Sequence, residues 1–315
     1  MLKNKAFEGA LETIKGIVGK EHFYDSYEER LCYSYDATLE EAIPDAIVFP
    51  GSAEEIALIM KTANEYKMPV IPRGAGTGIS GGSVPVKNGL VLNLCRLNRI
   101  LEINQKDYYA VVESGVITQT LNDAVAKLGL MYPPDPSSMK TSTIGGNVAE
   151  NAGGLRGLKY GVTKDYVMGM EVVTPTGEIL KTGTRTVKTA TGYNMTQLFT
   201  GSEGTLGIIV NIVLKLIPAP EHKESVLAIF KDMNQAAQTV ADIIAAGVMP
   251  ATLEFLDNTT INAVEDYKHI GLPRDAGAVL LIETDGVKEA AVKEIGRVEE
   301  ICKKNEALNL RKAET

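Results

Sequence analysis

Residues 72–82 read PRGAGTGISGG, five glycines in eleven positions. Glycine costs backbone entropy, so it is kept where φ is positive or where something approaches the main chain closely. Residues 76–81, GTGISG, fit G-x-G-x-x-G, the pattern of a Rossmann dinucleotide turn. That turn needs a helix opening inside the motif. Here SVPVKNG follows, and Pro85 with the Asn88 and Gly89 turn opposes a helix. No Lys-Ser or Lys-Thr follows the glycines, so a P-loop fails as well. Two readings stay open. The loop is a nest of backbone amides for an anion, with Thr77, Ser80 and Arg73 beside it, or a tight connection between strands.

The flanks are strands and helices in alternation. AIVFP (46–50) reads as a strand. A helix capped by Ser52 and Glu55 follows, with Ile56, Ile59, Met60 and Ala63 on one face. VIP (70–72) is the returning strand, and LVLNL (90–94), ILEIN (100–104) and YAVVESGV (109–116) are further strands. TQTLNDAVAKLG (118–129) reads as a helix with Leu121, Val125 and Leu128 aligned and Gly129 at its C-cap. A hairpin turns at residues 175–177, and GIIVNIVLKLIP (207–218) is a long strand.

Two more glycine clusters fall inside this stretch. PPDPSSMKTSTIGGNVAENAGG (133–154) reads as a long polar loop. Such a loop inside a compact domain argues for a site. GSEGTLGI (201–208) opens directly into a strand. Packing explains any one cluster, but hardly all three. After a break at PAPEH (218–222) come SVLAIF, a helix around Ala237, Val240, Ala241 and Ile244, ATLEFLD, AVLLIETD, a charged helix over 287–304 and ALNL. This alternation predicts a ferredoxin-like α+β layer.

Composition excludes other classes. The chain of 315 residues carries a net charge of −8 and no basic run interleaved with aromatics, which opposes nucleic acid. Asn211 and Lys215 break the longest apolar run too early for a membrane span. The first residues, with Phe7, Leu11, Ile14 and Val18 on one helical face, lack the apolar core of a signal peptide. Cys32, Cys95 and Cys302 form no CxxC, and His22, His222 and His269 form no metal-ligand spacing. The expectation is a cytoplasmic protein with no metal site.

The three glycine clusters, in this order and spacing, resemble the FAD-binding domain of the vanillyl-alcohol-oxidase (PCMH-type) family. They are nearest the branch holding D-lactate and D-2-hydroxyglutarate dehydrogenases and the D subunit of glycolate oxidase. The resemblance implies an α+β fold: a two-subdomain FAD-binding domain followed by a partial ferredoxin-like cap domain. The corresponding boundaries are 1–40 for an N-terminal helical segment, 41–220 for the FAD domain and 221–315 for the cap.

It also implies site residues. Amides of Gly74, Ala75, Gly76, Thr77 and Gly78 would hold the FAD pyrophosphate, with Arg73, Ile79 and Ser80 alongside. Pro136, Ser138, Thr143, Gly145 and Gly146 would line the flavin and ribityl chain, and Asn151 and Gly153 would continue that wall. Glu203, Gly204, Gly207 and Ile209 would meet the adenosine half or the loop around it. Some relatives link flavin covalently through a histidine in the first loop. This loop has neither His nor Cys, so FAD is expected to be non-covalent.

The implied chemistry is oxidation of a small 2-hydroxy acid, with hydride passing to flavin N5. Implied partners are an iron–sulfur or electron-transfer-flavoprotein acceptor subunit and a further copy of the chain. The alternative is an electron-transfer or scaffold flavoprotein subunit, and a third class is the NADPH-dependent reductase of cell-wall precursors. Family members place their substrate arginine and metal-binding histidines in a C-terminal portion, and this chain is expected to end before it. No catalytic base is therefore assigned. Arg156, Lys159, Tyr160, Lys188, Tyr193 and Asn194 are candidates for facing the flavin, or form surface turns.

Overall fold

The computed structural model describes residues 7–313; the remaining residues of the expected N-terminal helical segment, 1–6, lie outside it, as do 314–315. The chain forms two compact units. One runs to Ala152 and resumes over Val162–Pro218; the other comprises Gly153–Gly161 and the residues from 219 onward.

The first unit opens with α1 (Glu8–Val18), β1 (Phe23–Tyr24), α2 (Tyr27–Cys32), β2 (Ala46–Val48), α3 (Ala53–Glu65), β3 (Val70–Arg73) and β4 (Leu90–Asn93). Its sheet runs β1-β2-β4-β3, with β2, β4 and β3 parallel. The crossover β2-α3-β3 explains the near-continuous apolar reading of β2 and β4, whose residues are all buried. Ser52 caps α3 by accepting the Glu55 amide, but Glu55 reaches past Ser52 to the Gly51 amide at 2.7 Å. The capping box is thus offset by one residue. Ile56, Ile59, Met60 and Ala63 of α3 pack with Leu11, Ile14 and Val18 of α1 in one core.

The second layer of this unit contains β5 (Ile100–Asn104), β6 (Tyr109–Glu113), α4 (Thr118–Ala126), β7 (Leu130–Met131) and α5 (Ile144–Glu150). After α6 (Gly157–Tyr160), which belongs to the other unit, come β8 (Val167–Val173), β9 (Ile179–Gly183), α7 (Met195–Phe199), β10 (Ile208–Lys215) and β11 (Ile217–Pro218). An antiparallel sheet β5-β6-β10-β8-β9 results. Leu121 and Val125 of α4, Ile144 and Val148 of α5 and Ile212 and Leu214 of β10 share its core. Leu128 does not join them. The helix ends at Ala126 with Lys127 as its cap, and Leu128 is 39% exposed. The expected long strand over 207–218 divides at Leu216 into β10 and β11.

In the second unit, β12 (His222–Phe230), α8 (Met233–Ala245), β13 (Thr252–Asp257), α9 (Asn258–Lys268), β14 (Ala278–Gly286), α10 (Lys288–Lys304) and β15 (Asn309–Lys312) follow one another. The antiparallel sheet runs β13-β14-β12-β15, with its first strand between its third and fourth. That is the ferredoxin-like order. α8 and α10 cover one face, over Val226, Ala228, Phe230, Leu280 and Ile282. The buried stripe of α8 is Ala236, Thr239 and Ile243, one residue N-terminal of the expected face. Thr239 tolerates this burial because its hydroxyl donates to the Gln235 carbonyl at 2.7 Å. Cys302 sits in the same core, where burial first and then Glu299 push its thiol up to about 12. It packs as a small apolar residue.

Candidate cofactor site

Between β3 and β4 the chain forms no helix, which removes the Rossmann reading of GTGISG. Among the described residues, no backbone amide over 74–83 donates a hydrogen bond within the protein. Residues 74–83 are exposed or half-buried, so this consecutive run of unused donors on a glycine-rich loop is open to an external acceptor. Gly76 has φ of +70°, and an ideal Cβ on Gly78 would meet Glu150 Oε1 at 3.8 Å without a clash. Arg73 closes the base of the loop. It is 7% exposed, its Nη1 reaches the Ser83 carbonyl at 3.4 Å, and its guanidinium lies 5.5 Å from the Tyr33 ring centroid. Burial lowers its pKa, opposed by Asp36 and Tyr33. The guanidinium remains a cation.

The second cluster is not the continuous loop that its glycines suggest: α5 forms inside it. Thr143 is the N-cap, its Oγ1 accepting the Gly146 amide at 3.2 Å, and Asn151 ends the helix in the left-handed conformation with φ of 52°. Helix propensity fails to signal α5 because two of its seven residues are glycine. The signals present are Thr143 as cap and Ile144 with Val148 on one face. Gly145 is needed for close approach. Its amide donates to the Ser114 carbonyl at 2.7 Å, and an added Cβ would stand 2.5 Å from Ser114 Cβ. Pro136 is buried, and the Ser138 carbonyl accepts the amides of Thr141 and Ser142, which folds the lead-in to Thr143 into a turn.

The third cluster packs on the end of α5. Gly201 donates to the Val148 carbonyl and Glu203 to the Ala149 carbonyl, each at 2.9 Å. Glu203 (φ of 51°) and Gly204 (φ of 75°) are both left-handed. Three contacts join the clusters. A Cβ on Gly74 would fall on Thr143 Oγ1, a Cβ on Gly204 would fall on the Pro72 ring, and Ser80 Oγ donates to Glu150 Oε2 at 2.8 Å. Gly207 and Ile209 are packed closely at the start of β10. A Cβ on Gly207 would lie 2.6 Å from Val172 Cγ1, and Ile209 is 4% exposed in the core. Both can offer only backbone to a ligand. Gly153 is exposed and opens the segment that belongs to the second unit.

Ser114, Ser202 and Glu150 escaped the sequence. The hydroxyls of Ser114 and Ser202 are buried without a hydrogen-bond partner among the described residues. Unmet buried polar atoms each cost about 1–3 kcal/mol. The Glu150 and Glu203 carboxylates border the loop, standing 3.2 and 3.8 Å from an ideal Cβ on Gly82. A bound diphosphate would therefore depend on the amides and Arg73 against two nearby negative charges. The free amides and the exposed glycine edges fit an extended polyanionic cofactor.

Two of the other candidates are engaged elsewhere. Lys159 and Tyr160 bond to Asp285, inside the second unit. Tyr193 is 94% exposed, and Asn194 caps α7 through the Gln197 amide, so that stretch is a surface turn. Among the described residues, no group of His, Cys, Asp and Glu could hold a metal ion. No helix among them is long and apolar enough to cross a membrane.

Residues 44–183 match the model of an FAD binding domain, and residues 219–315 that of the C-terminal domain of FAD linked oxidases. Glycolate oxidase subunit GlcD of Bacillus subtilis (strain 168) is 51% identical over 305 residues, covering 96% of this chain and 65% of that protein. A D-lactate dehydrogenase of Anaerostipes hadrus is 38% identical over 300 residues, covering 93% and 63%. The chain spans 54% to 65% of the length of such relatives. Among solved structures, p-cresol methylhydroxylase with substrate bound superposes with a TM-score of 0.82 at 19% identity, over 98% of this chain and 67% of that one. Alkyldihydroxyacetonephosphate synthase gives 0.83 at 24%, over 99% and 64%. These two likenesses show the fold.

Proposed function

This chain belongs to the FAD-linked oxidases, and on that premise we propose that it supplies the FAD site of an enzyme oxidising a small 2-hydroxy acid of the glycolate or D-lactate kind to the 2-oxo acid. The cofactor is FAD. The observation that carries the site is the run of unused amides over 74–83, set against α5 and the 201–204 turn. In this reading the amides of Gly74, Ala75, Gly76, Thr77 and Gly78 take the diphosphate, with Arg73 as the charge behind them. Pro136, Ser138, Thr143 and Gly146 bound the ring and ribityl portion. Glu203 and Gly204 bound the adenosine portion, with Gly145, Gly207 and Ile209 contributing backbone. The loop holds no His or Cys, so the cofactor is held without a covalent link.

Bound FAD supplies the two-electron acceptor. The chain's own residues bind and orient it and keep water from its diphosphate edge. Cytoplasmic placement and assembly with an electron-accepting subunit belong to the same proposal. The relatives named as glycolate oxidase subunits support that assembly.

The test uses the protein as its own cells make it. Mixed anaerobically with glycolate, D-lactate or D-2-hydroxyglutarate, its visible flavin absorbance is expected to bleach with one of the three. Bleaching by dithionite alone would leave an electron-transfer or scaffold flavoprotein.

A further inference from the structure

Residues 33–45, between α2 and β2, double back on themselves as a strap. Tyr35 and Glu41 form an antiparallel bridge, the Ala42 amide donates to the Ser34 carbonyl at 2.8 Å, and Ser34 Oγ donates to Glu41 Oε1 at 3.1 Å. Asp36 turns the tip. Its Oδ1 accepts the Thr38 amide at 2.8 Å and the Thr38 hydroxyl at 2.6 Å, an Asx turn. Tyr35, Ala37 and Leu39 around it are exposed, whereas Asp36 is 7% exposed. Its other oxygen meets the glycine loop: Oδ2 accepts from Ser83 Oγ at a long 3.4 Å. One residue on, the Ala37 amide donates to the Gly78 carbonyl at 3.2 Å. Strap and glycine loop both lie in the first unit.

These bonds use a carbonyl and a hydroxyl of the loop and leave its amides free. A trans peptide carries its C=O and the following N–H in opposite directions. Fixing the Gly78 carbonyl on Ala37 therefore turns the Ile79 amide away from the strap. Two further carbonyls are fixed in the same manner. That of Gly74 accepts from Asn93 Nδ2 at 3.3 Å, which turns the Ala75 amide, and that of Gly81 accepts the Val84 amide at 3.0 Å, which turns the Gly82 amide. Asn93 and Val84 belong to β4 and to the loop's own return, whereas the strap reaches in from elsewhere in the chain. We propose that Asp36 is a positioning residue of the cofactor site: it folds the strap tip that holds Gly78 and Ser83, and so sets the loop amides for the diphosphate before FAD arrives. This rests on the FAD-site reading above. A site ordered in advance loses less free energy to ordering on binding. Burial lowers the Arg73 pKa and Asp36 opposes it, so a purely electrostatic role of Asp36 is the rival explanation.

Three variants of the full chain separate the two, Asp36→Ala, Asp36→Asn and Ser83→Ala. Asparagine keeps an oxygen for the Thr38 amide and offers an amide to Ser83 Oγ, but carries no charge. FAD affinity, from titration of the apo-protein, is expected to weaken about 10-fold in Asp36→Ala, the cost of ordering roughly one residue's backbone on binding, and to stay within about 3-fold of wild type in Asp36→Asn. Ser83→Ala breaks the bond from the loop side and leaves the Asx turn intact, so it stays informative if Asp36→Ala does not fold. A weakening of about 3-fold is expected there. Hydrogen exchange at the Ala37 amide, measured without FAD, reports the strap itself and is expected to be faster in Asp36→Ala and Ser83→Ala than in wild type. Faster exchange with wild-type FAD affinity in both would overturn the positioning role, and so would unchanged exchange. Asp36→Asn binding as weakly as Asp36→Ala would assign the effect to charge and overturn it too. If the wild-type chain takes up no FAD, the site reading fails, while exchange at Ala37 still reports whether Asp36 holds the strap.

Discussion

Gly76→Val is expected to weaken FAD binding by roughly 100-fold or more while the fold survives. Two effects act together. At φ of +70° a β-branched residue is strongly disfavoured, and an ideal Cβ there would fall on the buried Arg73 guanidinium. The loop must therefore re-form, and the amides lose their common direction. Hydrogen bonds from amides to a charged oxygen contribute about 1.5–3 kcal/mol each, so losing two accounts for the size of the effect. Fluorescence titration of the apo-protein with FAD measures it. Unchanged affinity would make residues 74–83 a packing turn.

Gly145→Val is expected to lose both cofactor and stability. The added Cβ would stand 2.5 Å from Ser114 Cβ and 2.8 Å from the Ser114 carbonyl oxygen. Neither is the free end of a flexible side chain, so α5 must lift from the end of β6 and release the bond from the Gly145 amide. Forced overpacking of this kind costs about 1–3 kcal/mol, and the released hydrogen bond adds about 1 kcal/mol. Gly157→Ala is the control, since nothing lies within 4 Å of its ideal Cβ. Thermal unfolding should fall by several degrees for Gly145→Val and stay near wild type for Gly157→Ala. Equal melting temperatures would show that α5 has room to adjust.

The parts of this molecule legible in its sequence are those with a local cause. Alternation of strand and helix periods gives both units, because each period follows from which face is buried. The first glycine loop is legible as a non-helical turn because Pro85, Asn88 and Gly89 act within a few residues of it. α5 is harder, since its stability comes from Ile144 and Val148 in the core rather than from its own residues. The Gly153–Gly161 excursion has no local signature. What holds it is Asp285, more than a hundred positions away in the sequence, so Lys159 and Tyr160 look free until the sheet is built. The orphan hydroxyls of Ser114 and Ser202 are hidden for the same reason: burial belongs to the fold, and no pattern of neighbours announces it.

Amide hydrogen exchange over residues 73–89, with and without FAD, tests the central claim most directly. Without the cofactor, the amides over 74–83 have no acceptor in the protein and should exchange at nearly the rate of an unstructured peptide. With FAD bound, several of the amides from Gly74 to Gly78 should become protected, while the Asn88 and Gly89 turn keeps its own rate. FAD bound at saturation with exchange in this loop unchanged would contradict the account, and the diphosphate would have to be sought on other residues.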